Sequence, residues 1–360
     1  MKKMEQSNER QYNLDLLKAF AIVCMVICHA VLMLGQYRPE SGNEFWYIFA
    51  DNIIGAYVVA AHGFMFAMGV GMVYSRKNRP ADQIRRGVSL LILAYVLNFF
   101  RYGMYFMAEG LITGTFAERA MGSLFGGDIL HFAGLAFIVT GILKQLKLKE
   151  STILFIALIL SMIGTMAASV DTHNAVWNII VGLFVFTPNH ASTFCFCSWY
   201  LFVAVGLVFG KILKETPDKD SFYKKLLIIS GILTAIYVAA TFACGMFFLS
   251  KDKAFYDASP LEALGLLSID FFVLSLFHFL LKKVDASKFR RSIEMSKNIN
   301  SIYCIHWCIV GPIEFFFCYL LKWVPGYLEM YAIGFALLFI SFFLARLYKT
   351  KKAKFMERHA

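Results

Sequence analysis

Charge is the scarcest commodity in this chain. Only 16% of its 360 residues are Asp, Glu, Lys or Arg, against 59% hydrophobic, and the mean hydropathy is +0.62. A soluble domain cannot cover itself with so little polar surface, which excludes a globular cytosolic fold and predicts an all-α polytopic membrane protein. Long polar tracts, internal repeats and low-complexity segments are also missing, so residues 1–360 read as a single membrane domain. The eight cysteines lack metal-type spacing. Cys195 and Cys197, one residue apart, suit neither a relaxed disulfide nor a zinc knuckle, so no disulfide framework and no metal site is expected. Acidic residues are outnumbered, 24 to 35, giving a net charge of +11. That surplus could suggest nucleic acid, but the cations fall in short clusters between apolar runs. This is the pattern of cytoplasmic loops in membrane proteins, and it predicts a bilayer partner and no nucleic-acid partner.

Apolar segments fall near 14–36, 50–74, 86–108, 128–146, 151–169, 174–187, 194–213, 224–249, 261–282, 299–321 and 327–346. Met-Lys-Lys before the first run resembles a signal peptide. The run is about twice the length of an ordinary h-region and lacks a small-residue cleavage site, so it is read as the first span. The linker Ser75–Arg86, the most basic cluster, belongs in the cytoplasm with Lys2, Lys3 and Arg10. Counting crossings onward puts Lys144–Lys149 inside as well. Were 174–187 to cross, the clusters at 211–225 and 282–297 would lie outside. Read as a short re-entrant or surface helix, it returns both clusters and the tail at 346–358 to the inside. The expectation is therefore about ten crossings, both termini cytoplasmic, and an aromatic belt on the outer side that includes Trp46, Tyr47, Trp323 and Tyr327.

Ionisable residues at membrane depth are costly and mark function. The first span carries Asp15, Lys18 and His29. Lys18 and His29, eleven residues apart, return to nearly the same helix face about 16 Å apart along the axis. This topology puts Lys18 near the cytoplasm and His29 in the outer half. His29 suits proton transfer, although a buried histidine bonded to a neighbouring carbonyl is the ordinary structural account. Lys18 could likewise snorkel to the surface, or pair with Asp15 at i−3. His29 has company, however. His62 lies mid-span, His131 opens the fourth segment, His306 lies inside a late one, Asp270 and Glu314 are intramembrane by count, and Asp51 and Asp128 sit at outer helix ends. Together they predict a polar cavity opening outward. Arg85 and Arg86 suit a phosphate-bearing ligand from the cytoplasm, and Asn98 and Arg101, deep in the third span, need a cavity or the far interface. The glycines of the second span, Gly55, Gly63, Gly69 and Gly71, are read as close helix packing, since no strand precedes them to make a phosphate loop.

Four stretches lie in register with a known family. Leu14-Asp-Leu-Leu-Lys-Ala-Phe-Ala…His29 resembles the opening helix of the integral membrane acyltransferase 3 superfamily, which carries an arginine, ten residues, then a histidine. Phe64–Met72 with Arg85-Arg-Gly87, and Asp128–Gly134, resemble the branch near heparan-alpha-glucosaminide N-acetyltransferase and its bacterial relatives. Asn300–Trp307 is similar to a Ser-Ile-Tyr-x-Ile-His pattern late in the superfamily. Lysine in place of arginine at position 18 keeps the cation and loses the bidentate fork. The resemblance implies transfer of an acyl group, usually acetyl from cytoplasmic acetyl-CoA, to a hydroxyl or amine of an extracytoplasmic saccharide or other envelope molecule. Lys18, Arg85 and Arg86 would then assist CoA from the cytoplasmic side, with Asn98 and Arg101 as further substrate- or cofactor-binding candidates. His29 would deprotonate the acceptor or carry the acyl group itself. A proton-coupled secondary transporter using the intramembrane His, Asp and Glu is the alternative, distinguished by gradient-driven uptake without CoA dependence. The acceptor and the oligomeric state stay open at this level.

Overall fold

A computed structural model describes residues 10–38, 45–57, 59–114, 118–186, 192–250 and 255–358. Among these residues the secondary structure is helical, mostly α with short π- and 3-10-helical stretches, apart from an isolated bridge between Gly127 and Ser192. In chain order the helices are α1 (Tyr12–Gly35), α2 (Phe45–Ile48, continuing π-helically as Phe49–Tyr57), α3 (Ala61–Tyr74), α4 (Pro80–Asn98), α5 (Met104–Thr113), α6 (Glu118–Phe125), α7 (Ile129–Gln145) and α8 (Glu150–Met166). They continue with α9 (Ala175–Gly182), α10 (Phe196–Glu215), α11 (Lys219–Cys244), α12 (Pro260–Lys283), α13 (Arg290–Lys297), α14 (Ile299–Ile313, extended π-helically by Glu314–Leu320) and α15 (Tyr327–Arg358).

Eight helical stretches among the described residues are long and apolar enough to cross a bilayer, and α7 and α8 are shorter apolar helices of 17 residues each. The protein is a multi-pass membrane protein. Its third span is longer than the apolar run at 86–108, because Pro80 at the first helical turn starts α4 early and a π-helical stretch, Phe99–Gly103, carries it into α5. The last helix runs on to Arg358, beyond the apolar stretch that ends near 346. The segment at 174–187 holds only the eight-residue α9, about 12 Å long and too short to cross. Asn174 caps it through Oδ1, which accepts from the N–H groups of Val176 and Trp177. Asp171, in the preceding linker, accepts from the Asn178 amide (2.8 Å) and the His173 N–H (2.9 Å), and these bonds hold its carboxyl below the usual carboxylate range.

Burial sorts the helices into layers. The most apolar windows of α10 and α1 are 78% and 67% buried, whereas that of α11 is 11% buried, so α1 and α10 form the centre and α11 faces lipid through Ile228, Ile229, Ile232, Leu233 and Ile236. Helix α1 packs against α3, α12, α13, α14 and α15, and α4 packs against α7. Helix α3 meets α10 at glycines. A Cβ on Gly69 would collide with the Val203 carbonyl oxygen and the Gly206 backbone, and one on Gly206 with the Phe66 carbonyl. Gly69→Val is therefore expected to force these two helices apart and destabilise the fold by about 1–3 kcal/mol, read as a lower thermal midpoint in detergent. Gly71 is different. A Cβ there would meet nothing within 4 Å, because Gly71 lies on the wall of a cavity.

The second span is broken. Between the π-helical stretch ending at Tyr57 and the start of α3, Val59 has φ 51°, a left-handed conformation strained for a β-branched residue. His62 lies across the break and bonds through Nε2 to the Ala56 carbonyl (3.1 Å) and through Nδ1 to Asp270 of α12 (2.8 Å), with both side chains wholly buried. Both ring nitrogens lie within hydrogen-bond distance of an oxygen, so the ring ties the broken span to α12. Irregular backbone at membrane depth survives where protein satisfies its polar groups, and His62 does so here.

Candidate functional site

Two cavities lie along α1. The larger, about 670 Å3, surrounds its first turns and is lined by Arg10, Lys18, Arg76, Arg86 and Lys297, with Asp15 the one carboxylate among its described walls. Asp15 and Lys18, a pairing that their spacing allows, do not share a hydrogen bond. Asp15 instead accepts from Arg10 Nε (2.5 Å) and from Ser296 Oγ of α13 (2.6 Å), so Lys18 faces the cavity without that counter-ion bond. Arg86 joins it, its guanidinium over the Phe137 ring of α7 at 4.5 Å, a cation–π contact that holds the side chain in place. Arg85 points elsewhere, exposed, and does not line the cavity. At 100° per residue, only one of two consecutive arginines can face it.

The second cavity lies farther along α1 and is lined by His29, Cys28, Asp51, Asp128, Tyr256 and Tyr303, among others. The two cavities approach each other across neighbouring residues. Leu130 lines the first and Ile129 the second, and on α14 Ser301 lines the first and Tyr303 the second. Lys18 and His29, read from sequence as one stripe of a helix, thus face different cavities.

His29, half-buried, lies 3.0 Å from His306 Nε2 through its own Nδ1, and His306 Nδ1 lies 3.2 Å from the Ile302 carbonyl one turn back. The carbonyl accepts only, so His306 Nδ1 must carry hydrogen. A neutral His306 then accepts at Nε2, and His29 donates from Nδ1. This chain leaves His29 Nε2 with a bare lone pair. The Trp307 ring packs against His29 at 4.5 Å and Arg101 lies 4.3 Å from the same indole, so the imidazole is confined by aromatic walls.

Asp128 is the most heavily bonded carboxylate near the site. Its Oδ2 accepts from Arg101 (2.6 Å) and from the Tyr303 hydroxyl (2.6 Å), and its Oδ1 accepts from the Ile129 N–H (2.5 Å) at the start of α7. Arg101 in turn bonds Asn98 Oδ1 (3.2 Å), while the Asn98 amide donates to the carbonyls of Leu124 (3.1 Å) and Gly126 (2.9 Å). Arg101 and Asn98 therefore serve this carboxylate and the backbone before it, not the cationic cavity. His131 completes the cap. Its Nδ1 accepts from the Asp128 N–H (3.1 Å), and its ring stands edge-on to Tyr95 at 4.5 Å.

The titratable residues do not all meet. His29, Asp51 and Asp128 share a cavity, His306 backs His29, and His131 lies behind Asp128. The His62–Asp270 pair is separate, in the core. Glu314, at the far end of α14, is buried and accepts from the Tyr37 hydroxyl and from Gln36 Nε2 (3.3 Å) just past the end of α1. Tyr303, Ser296, Arg76 and Lys297 were not singled out from the sequence. Tyr303 was legible in part, since three residues before His306 on one helix places the two rings on the same face.

A family model described as heparan-alpha-glucosaminide N-acetyltransferase, catalytic, matches residues 10–239, well over half of the chain. The match takes in Lys18, His29, Arg86, Arg101 and Asp128 and ends before Tyr303 and His306. No curated protein matches. With most of the site on the matched stretch, the chain belongs to the heparan-alpha-glucosaminide N-acetyltransferase catalytic family of membrane acetyltransferases.

Proposed function

We propose that the protein transfers an acetyl group from cytoplasmic acetyl-CoA to a hydroxyl or amine of an extracytoplasmic saccharide or envelope molecule, with His29 as general base. The observation that carries this reading is the pair of cavities on one helix, five cations around the first and a histidine with a bare Nε2 in the second. The cationic cavity suits a polyanionic donor such as CoA. The basic linker 75–86 at its mouth supports a cytoplasmic opening. From Lys18 to His29 is about 16 Å along α1, comparable with an extended pantetheine arm, so the phosphates and the thioester can occupy opposite ends of the interval.

In the transfer step His29 Nε2 takes the proton of the acceptor's O–H or N–H as that atom attacks the thioester carbonyl. The tetrahedral intermediate collapses, the C–S bond breaks, and the leaving thiolate takes the proton from the imidazolium. His306 accepts from His29 Nδ1–H throughout and so keeps the ring in its working orientation. Asp128, fixed by Arg101 and Tyr303, supplies a negative charge on the same cavity wall that favours the transient imidazolium.

Filling the first cavity tests the donor site. Gly71→Leu adds a side chain on a wall where a Cβ meets nothing, so the fold is expected to persist while KM for acetyl-CoA rises about tenfold or more. Unchanged kinetics with labelled acetyl-CoA would place the donor elsewhere.

A further inference from the structure

The two cavities carry opposite charge. Five cations line the first, whereas the His29 cavity is lined by two carboxylates, Asp51 and Asp128, and by no Lys or Arg among the described residues. The carboxylates differ in what they have left to offer. Asp128 is occupied by Arg101, Tyr303 and the Ile129 N–H, while Asp51 accepts no hydrogen bond from any described residue and reaches solvent on one side.

Donor and acceptor bookkeeping then constrains the ligand. Three positions on the wall are uncommitted among the described residues: the lone pair of His29 Nε2 and the oxygens of Asp51, which accept only, and the Tyr256 hydroxyl, which can donate or accept. The Tyr303 hydroxyl is already donated to Asp128. The cavity holds about 40 Å3, room for two or three water-sized groups, so it admits the edge of a ring and not a whole one. A ligand that satisfies it must bring at least two hydrogens on adjacent atoms, one for His29 and one for Asp51.

We propose, resting on the acetyltransferase reading above, that Asp51 selects the acceptor. Its carboxylate takes the hydrogen of a hydroxyl or ammonium next to the reacting group. The cavity therefore accepts the edge of a neutral or cationic polyol or amino alcohol and turns away an edge that bears carboxylate or phosphate. An anion there meets Asp51 with no cation on the wall to compensate it.

Protection of His29 from carbethoxylation by diethyl pyrocarbonate, scored by peptide mass spectrometry on the detergent-solubilised full chain, tests this without requiring turnover. The probes are methyl α-D-glucoside, methyl α-D-glucosaminide and methyl α-D-glucuronide, one ring with three charges. In the wild type the glucoside and the glucosaminide are expected to protect His29, and the glucuronide to need at least about tenfold more. In Asp51→Asn, checked for an unchanged thermal midpoint, protection by the glucosaminide weakens about tenfold and the handicap of the glucuronide disappears. Equal protection by glucuronide and glucosaminide in the wild type overturns the proposal. So does unchanged glucosaminide protection in Asp51→Asn, or no protection by any probe. Failure of labelled acetyl transfer with the protection pattern intact would instead sink the acetyltransferase mechanism and leave the selectivity of Asp51 standing.

Discussion

His29→Ala is expected to lower acetyl transfer by about a thousandfold, to a residual rate sustained by substrate positioning alone. The size follows from the loss of the one uncommitted imidazole in the cavity. His306 cannot substitute, because it does not line the cavity and its Nε2 is set back from the acceptor by the width of the imidazole that His29 provides. Nor can Asp128, whose oxygens are already filled by Arg101, Tyr303 and a backbone N–H. The measurement is single-turnover transfer from labelled acetyl-CoA, with KM for the donor expected to stay within a few-fold, since the cationic cavity lies at the other end of the interval. The substitution also leaves His306 Nε2 as an unpaired acceptor, so a thermal scan belongs beside the kinetics to separate lost chemistry from lost folding. The histidine pair makes a finer statement as well. His306→Phe keeps the ring and removes the acceptor for Nδ1–H, and it is expected to lower the chemical step while leaving donor KM unchanged.

The second large effect is on stability. Arg101→Met is expected to destabilise the protein by about 3–5 kcal/mol, because it strands the Asp128 carboxylate in a nearly water-free setting. Arg101 and Asp128 side chains are only 13% and 12% exposed, and the pair is in direct contact at 2.6 Å. Asp128→Asn, the converse change, strands the guanidinium. The double variant Arg101→Met with Asp128→Asn removes both charges and is expected to recover much of the loss, so the cycle yields a large favourable coupling. Thermal unfolding in detergent reads the cycle. Additive single effects would show that the two side chains do not depend on one another, contrary to the bonded geometry. Stability recovered in the double variant need not restore activity, since Asp128 also carries charge on the wall that faces His29.

The helical, membrane-spanning character and the interval between Lys18 and His29 were legible because both follow from local periodicity and composition. Pairings were not. Arg101 reads in sequence as an arginine stranded deep in a span, and its partner Asp128 lies 27 residues away across α5 and α6. Asp15 and Lys18 stand at a spacing that favours a pair, yet Arg10 and Ser296 reach the carboxylate, because α13 packs against the start of α1. The break beside Val59 carries no proline or polar run to announce it, and His62, which staples it, looked like one more ionisable group for a common cavity. Gly71 shares its residue type with Gly69 but not its role. Only the position of α10 distinguishes the glycine that packs a helix from the glycine that opens a cavity.

Transfer from one cavity to the other is the central step of the mechanism. In sealed proteoliposomes, labelled acetyl-CoA is supplied on one side and a glucosaminide acceptor on the other, with His29→Ala vesicles as the control. Labelled acceptor should accumulate with wild-type protein when donor and acceptor face opposite sides, and should be about a thousandfold slower with His29→Ala. Transfer only when both substrates share a side, or wild-type rates from His29→Ala, would contradict it.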